Sequence, residues 1–149
     1  MKTIVAALLF AVASAHGAPA VNEASFTADY GPYRLAAPIA TDGDTIRADV
    51  LIWPQHSVDT AIRVSGVDTP ETGKAKCAAE KVAGHKAKAF TQTWISAHQP
   101  LTINLVKADA YPGRFDAVVA GRDGSLLAGA LIAAGHGRPS RGQRSSWCP

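Results

Sequence analysis

Residues 45–53 read TIRADVLIW, and this stretch decides the fold class. Every second residue from Ile46 to Ile52 is apolar, Arg47 and Asp49 begin the opposite face, and Pro54 follows. Alternation with a period of two is typical of a β-strand that buries one face. We therefore predict a strand over residues 45–53 with one side against a core.

Four further stretches have strand character, namely residues 33–41, 60–67, 101–107 and 115–120. Pro38 lies within the first of them, and a proline there requires a sheet edge or a β-bulge. Residues 54–59 are polar enough to connect the second and third strands as a hairpin loop. The sequence thus predicts five strands.

The hydrophobic period changes after residue 76. Ala83, Ala87, Phe90, Trp94 and Ala97 recur at spacings of four and three, which is typical of one face of a helix. We predict a helix over residues 77–97, ended by Pro100 because the residue before a proline leaves the helical region. A short helix is predicted over residues 125–134, with Ser125 as its N-cap and Gly135 after its end.

This order of elements favours a mainly β (α+β) protein, an OB-fold five-stranded barrel. One helix lies between strands 3 and 4, and a short helix lies near the C-terminus. The chain has 149 residues, of which 47% are hydrophobic, so a compact domain is expected and a disordered or collagen-like chain is excluded.

The N-terminus resembles an export signal. Residues 1–15 read MKTIVAALLFAVASA, an apolar run too short to span a bilayer that ends in small residues. We predict cleavage after Ala15, or as late as Ala20, although a buried N-terminal helix is an alternative. Residues 16–32 are predicted as an arm and residues 33–149 as the barrel domain. The mature protein is expected to be secreted or periplasmic, away from the membrane, and no protein partner is indicated.

The two cysteines and the charges carry further information. Cys77 and Cys148 are the only cysteines, and in an oxidising compartment we predict that they form a disulfide. Residues 1–72 hold four Lys/Arg against eight Asp/Glu, whereas residues 73–149 hold eleven against four. This asymmetry suits a site that holds a cation beside a polyanion, with plain solvated surface as the alternative.

Two short acidic turns are the candidate cation site. Asp42-Gly43-Asp44-Thr45 precedes strand 2, and Asp68-Thr69-Pro70-Glu71-Thr72 follows strand 3. Because strand 2 starts at the end of the hairpin where strand 3 finishes, the two turns are expected side by side. Paired carboxylates without nearby His or Cys favour a hard ion, Ca²⁺ or Mg²⁺. An ordinary Asp-Gly turn and a plain loop remain the structural alternatives.

Arg63 and Arg114 are candidate phosphate ligands, since guanidinium groups bind phosphate oxygens bidentately. Glu71 is a candidate general base for a water nucleophile. A structural ion pair of Arg63 with Asp44 or Asp68, and an exposed turn for Arg114, are the alternatives to these roles.

At these residues the chain resembles the staphylococcal-nuclease-like (thermonuclease) family. The resemblance covers about residues 40–135 and rests on matching order and spacing of several motifs. These are DGDT (42–45), RVSGVDTPE (63–71), Cys77-x-x-Glu80 with Gly84 and Ala87, the segment from Tyr111 to Arg114, GSLL (124–127) and residues 131–135.

The resemblance implies an OB-fold enzyme that hydrolyses DNA and RNA phosphodiesters with Ca²⁺. By the same resemblance Asp44, Asp68 and the backbone carbonyl of Thr69 would bind the ion, with Asp42 in an outer shell. It also implies Glu71 as general base and Arg63 and Arg114 as the phosphate-binding arginines.

The sequence departs from the family at two places. Pro112 is inserted between Tyr111 and Gly113, and the nucleotide-contacting tyrosines and long helix expected near the C-terminus are absent. Tyr111 is the remaining candidate for stacking on a base. The predicted function is therefore an exported Ca²⁺-dependent nuclease of low sequence specificity, with DNA and RNA as substrates. A non-cutting OB-type binding module and a calcium-stabilised protein without a nucleic-acid partner are the alternatives.

Overall fold

The computed structural model of the protein describes residues 30–140 and 146–149. The predicted signal segment, residues 1–15, and the predicted arm up to residue 29 lie outside the described residues. The described elements follow one another along the chain as β1 (Tyr33–Asp42), β2 (Thr45–Trp53), β3 (His56–Val64), β4 (Val67–Asp68), α1 (Ala78–Ala97), β5 (Thr102–Ala108), β6 (Arg114–Ala120), α2 (Leu127–Ala133) and β7 (Arg138–Pro139).

Five strands close into a barrel in the order β1-β2-β3-β6-β5, which confirms the prediction of a mainly β protein built on a five-stranded barrel. All neighbouring pairs are antiparallel except β3 and β6, which run parallel. The pattern of residues 45–53 is confirmed from Ile46 to Val50, whose alternate residues are buried, whereas Ile52 is 48% exposed. The barrel core includes Ile46, Ala48, Val50, Ile62, Val64, Ile103, Ala117 and Val119.

The third predicted strand was wrong at both ends. The chain already re-enters the sheet at His56, after a two-residue turn in which Gln55 has φ +63°. It leaves the sheet after Val64, because Gly66, with φ +86°, turns the chain before β4. Simple alternation along residues 60–67 would place Val67 on the same face as Arg63, but the turn breaks the alternation and Val67 is buried. The polar hairpin residues gave no strand signal because both faces of this end of the sheet are exposed.

The first strand carries the predicted irregularity. The pairing of β1 with β2 shifts between Ala36 and Ile39, and Ala37 adopts φ +45° just before Pro38. A β-bulge adds a residue to one strand and thereby accommodates a residue that cannot donate a ladder hydrogen bond.

The long helix spans Ala78–Ala97 with Cys77 as its N-cap, so it begins one residue later than predicted and ends at the predicted residue. The short helix α2 begins at Leu127 instead of Ser125, because the Ser125 hydroxyl bonds the Asp123 carboxylate at 2.6 Å and does not cap the helix. Within the described part of the chain, no helix combines the length and the apolar character needed to cross a membrane.

Candidate active site

An open groove of about 830 Å³ lies beside the start of β2, the end of β3 and the start of β6. It gathers side chains from distant parts of the sequence, and six of the predicted site residues line it: Asp42, Arg63, Asp68, Glu71, Tyr111 and Arg114. The other two, Asp44 and Thr69, lie behind its wall, each 3% exposed.

The register of the hairpin brings the two acidic turns together. Thr45 of β2 pairs with Arg63 of β3, and the Val64 amide donates to the Asp44 carbonyl at 2.8 Å. The Thr69 amide then donates to Oδ2 of Asp44 at 3.2 Å, although the residues are 25 positions apart. The predicted juxtaposition of the turns is confirmed, and it follows from antiparallel pairing.

Arg63 lies between the two carboxylates of these turns. Its Nη2 is 3.0 Å from Oδ2 of Asp44 and 3.5 Å from Oδ1 of Asp68. The structural ion pair that the sequence left open is therefore present. The Arg63 side chain is 16% exposed and also lines the groove. Asp44 and Asp68 thus direct oxygens toward one point, where a positive charge lies.

Burial dominates the electrostatics of Asp44. Loss of water raises the pKa of this carboxyl above its ordinary value, although the Arg63 charge and the Thr69 amide both act to lower it. A buried carboxylate in this state is stabilised by additional positive charge.

Asp42 lies at the groove, and the contact described for it is local, whereas Asp44 pairs with Arg63. Its Oδ1 accepts a hydrogen bond from the Gly43 amide at 3.0 Å, and it lines the groove.

Among residues 30–140 and 146–149, the only three His, Cys, Asp or Glu side chains with donor atoms all within 4.8 Å of one another are Cys77, Glu80 and Cys148. The two sulfurs of that group are joined in a disulfide.

Glu71 lies in the loop that follows β4, and Glu80 of α1 holds this loop. The Glu80 carboxylate, on a residue that is 5% exposed, accepts from the Lys76 amide at 2.7 Å and from the Glu71 amide at 3.5 Å. Glu80 was not among the predicted site residues. Its position three residues after the N-cap Cys77, where a capping glutamate usually stands, is the signal that could have found it.

Arg114 opens β6 and faces the same groove. Its Nε is hydrogen-bonded to the Asp109 carboxylate, and its guanidinium carbon lies 4.7 Å from the centroid of the Tyr111 ring. The bond to Arg114 lowers the pKa of Asp109. Gly113, with φ +77°, completes a turn in which the Arg114 amide donates to the Tyr111 carbonyl at 3.2 Å. The turn accommodates Pro112 and leaves Arg114 in the groove.

The C-terminal segment packs beside the acidic turns. The predicted disulfide between Cys77 and Cys148 is present, with a Cα–Cα distance of 6.1 Å. Next to it, the indole Nε1 of Trp147 donates to Oδ2 of Asp68 at 3.2 Å. Arg138 of β7 pairs with Asp68 of β4 in a two-stranded sheet. Neither Trp147 nor Arg138 was among the predicted site residues.

No protein-family model matches this chain, and no curated protein matches it significantly. In chemical terms, the groove presents two guanidinium groups and several carboxylates, Asp68 and Glu71 among them. Asp44 reaches Arg63 from behind the groove wall, so its oxygens and those of Asp68 converge on one guanidinium group. These groups are suited to holding a hard cation, binding an oxyanion and accepting a proton.

Proposed function

We propose that the protein is an exported, Ca²⁺-dependent nuclease that hydrolyses phosphodiester bonds of DNA and RNA with low sequence specificity. The observation that carries the proposal is the presence in one groove of Arg63, Asp68 and Glu71, from the stretch 63–71, together with Arg114, which is distant in the sequence. Together they supply a cation ligand, two phosphate-binding groups and a proton acceptor for phosphodiester hydrolysis.

The donor set suits calcium. Asp44 and Asp68 already direct carboxylate oxygens to a common positive group, and Thr69 lies beside both. Ca²⁺ prefers carboxylate and carbonyl oxygens in a flexible arrangement, so Asp44, Asp68 and the Thr69 carbonyl would hold it, with Asp42 further out. When bound, the ion supplies positive charge that polarises a phosphoryl oxygen.

The two arginines bind the phosphate. Guanidinium groups match phosphate oxygens in a bidentate way and strengthen their contacts as negative charge develops during attack. Asp109 fixes the orientation of Arg114 from behind, and the Tyr111 ring supports the guanidinium face. Arg63 exchanges part of its contact with Asp44 and Asp68 for a phosphate oxygen.

Glu71 accepts the proton of the attacking water. The water oxygen forms a bond to phosphorus while the bond to the leaving oxygen breaks, and the leaving oxygen takes up a proton from the solvent that fills the open groove. The anchoring of the Glu71 loop by Glu80 places this carboxylate on the wall of the groove.

The proposed substrate range follows from what the groove offers. Its polar groups suit phosphate, and phosphate contacts carry no direct sequence information. Tyr111, which is 59% exposed at the groove, supplies a stacking surface for any base.

The proposal includes membership of the thermonuclease-like family, with the barrel as an OB-fold. The strand order, in which β3 pairs with both β2 and β6, and the position of α1 between β4 and β5 support this assignment. The disulfide supports an oxidising destination, secreted or periplasmic, because such bonds persist outside the reducing cytosol.

A nucleic-acid-binding barrel that does not cut is the second candidate. One observation favours it: Arg63 is already paired with two carboxylates, which competes with phosphate binding. Such a module would bind single strands in a salt-dependent way in chelator and in calcium alike.

Cleavage of end-labelled single-stranded DNA and RNA by the purified protein, in CaCl₂ and in excess chelator, tests the proposal. Calcium-dependent shortening of both substrates is expected. Binding without cleavage would favour the second candidate, and thermal stabilisation by calcium with neither binding nor cleavage would indicate a calcium-stabilised protein with another role.

A further inference from the structure

Trp147 contacts the acidic turns although it belongs to the polar C-terminal segment. Its indole Nε1 donates a hydrogen bond of 3.2 Å to Oδ2 of Asp68, a residue that is 7% exposed. The other oxygen, Oδ1, faces Arg63 at 3.5 Å. The indole N–H and the Arg63 guanidinium therefore approach different oxygens of the Asp68 carboxylate.

Three contacts hold Trp147 in this place. The next residue, Cys148, is bonded to Cys77 at the N-terminus of α1. The Arg138 guanidinium lies 3.6 Å from the centroid of the indole ring. The same guanidinium donates to the Ser146 carbonyl at 3.0 Å. The residues before and after Trp147 are thus both held in place, and Arg138 packs on one face of the indole ring.

We propose that Trp147 is a positioning residue for calcium: its indole N–H orients the Asp68 carboxylate toward the cation, and the Cys77–Cys148 disulfide holds the indole in place. The inference rests on the proposed calcium site of Asp44 and Asp68. Groups that hydrogen-bond a metal ligand from behind commonly change metal affinity by about 10-fold to 100-fold when they are removed.

The substitution Trp147→Phe separates the hydrogen bond from the packing, because phenylalanine keeps an aromatic face for Arg138 and has no N–H. Trp53→Phe is the matched control, since Trp53 is 73% exposed at the tip of the β2–β3 hairpin. Calcium affinity is measured by isothermal titration calorimetry on the oxidised protein, and thermal unfolding is measured in chelator.

We expect Trp147→Phe to weaken calcium binding by about 10-fold or more, while Trp53→Phe binds as the wild type does. Titration is carried out where every variant is fully folded, so a lower unfolding temperature does not obscure the affinity. Excess calcium should restore cleavage by Trp147→Phe, which a collapsed site would not allow.

Reduction of the disulfide by a dithiol provides the second arm. We expect reduced wild type to lose calcium affinity as Trp147→Phe does, and Trp147→Phe to lose little more on reduction. Equal calcium affinity of wild type and Trp147→Phe would overturn this inference and leave the proposed function standing. Reduction that leaves the calcium affinity of wild type unchanged would do the same. Wild type that binds no calcium would overturn the calcium part of the proposed function and this inference with it.

Discussion

Gly84 of α1 lies directly against the main chain of Glu71. A Cβ atom at position 84 would stand 2.5 Å from the Glu71 carbonyl oxygen and 2.9 Å from that of Pro70. No side chain fits in this space, so the absence of one at position 84 allows the loop that carries Glu71 to pack directly against α1. Glu80, one turn earlier, holds the same loop through its carboxylate.

Gly84→Ala should therefore displace the Glu71 loop. We expect a loss of about 1–3 kcal/mol in the free energy of unfolding, as for other overpacked sites, and a fall in cleavage at temperatures where the variant is folded. Gly129→Ala is the control, since Gly129 lies exposed in α2 with nothing within 4 Å, and it should gain about 0.5–1 kcal/mol. Urea unfolding of both variants measures the difference, and equal stability of the two would contradict this account.

Asp44→Asn should change how stability depends on pH in chelator. Because burial raises the pKa of Asp44, the folded state holds its proton more tightly than the unfolded chain between pH 3.8 and the higher folded value. The stability that this proton contributes is lost as pH rises through the folded pKa. The free energy of unfolding of the variant relative to wild type should therefore be highest near pH 7 and should fall toward pH 4.

Urea unfolding at several pH values in that range measures the effect. A stability difference that does not change with pH, or that favours the variant more at low pH, would show that Asp44 titrates without the burial penalty. Added calcium should raise the unfolding temperature of wild type and leave that of Asp44→Asn unchanged.

Removing the disulfide should be costly because it closes a long loop. Cys77 and Cys148 are 71 positions apart, and the chain-entropy model gives about 4 kcal/mol for such a closure. We expect the double variant Cys77→Ser/Cys148→Ser to lose stability of this order in urea unfolding. The oxidised, denatured wild type should show no reactive thiol, and titration of two thiols would contradict the bond.

Arg114→Ala should lower kcat/KM for single-stranded DNA by about 100-fold to 1,000-fold, the usual effect of removing one preorganised charge donor. Arg114→Lys should restore little, since an ammonium cannot bind two oxygens in a plane. Arg47→Ala is the control, because Arg47 is half exposed and pairs with Asp59, and neither residue lines the groove. Equal losses for Arg47→Ala and Arg114→Ala would indicate a diffuse charge effect instead of a phosphate site.

Much of the site could be predicted because local pattern and strand pairing determine it. The alternation in residues 45–53 predicts β2, and an antiparallel hairpin necessarily places Asp44 beside the end of the next strand. The turn at Gly66 ends β3 earlier than predicted, but it does not separate the two acidic turns. The Thr69 amide, just after β4, still donates a hydrogen bond to Asp44.

The remaining features depend on contacts that have no local pattern. The bond between Trp147 and Asp68 joins residues 79 positions apart, and the polar C-terminal segment has no periodicity that would place it. Only the cysteine count linked that segment to α1. The pairing of Arg63 with a carboxylate was predicted as an alternative, because a charge on a strand requires solvent or a partner. Alternation along the strand could not decide between an ion pair and a phosphate ligand, and Arg63 pairs with both Asp44 and Asp68.

Glu71→Gln tests the central claim most directly, in cleavage and binding of one labelled single-stranded DNA with CaCl₂ present. The account predicts wild-type cleavage that falls by about 100-fold to 10,000-fold in Glu71→Gln, with strand binding retained and Asp59→Asn cutting normally. Cleavage by Glu71→Gln at the wild-type rate would contradict the role of Glu71. A folded wild type that binds the strand and leaves it intact would contradict the nuclease itself.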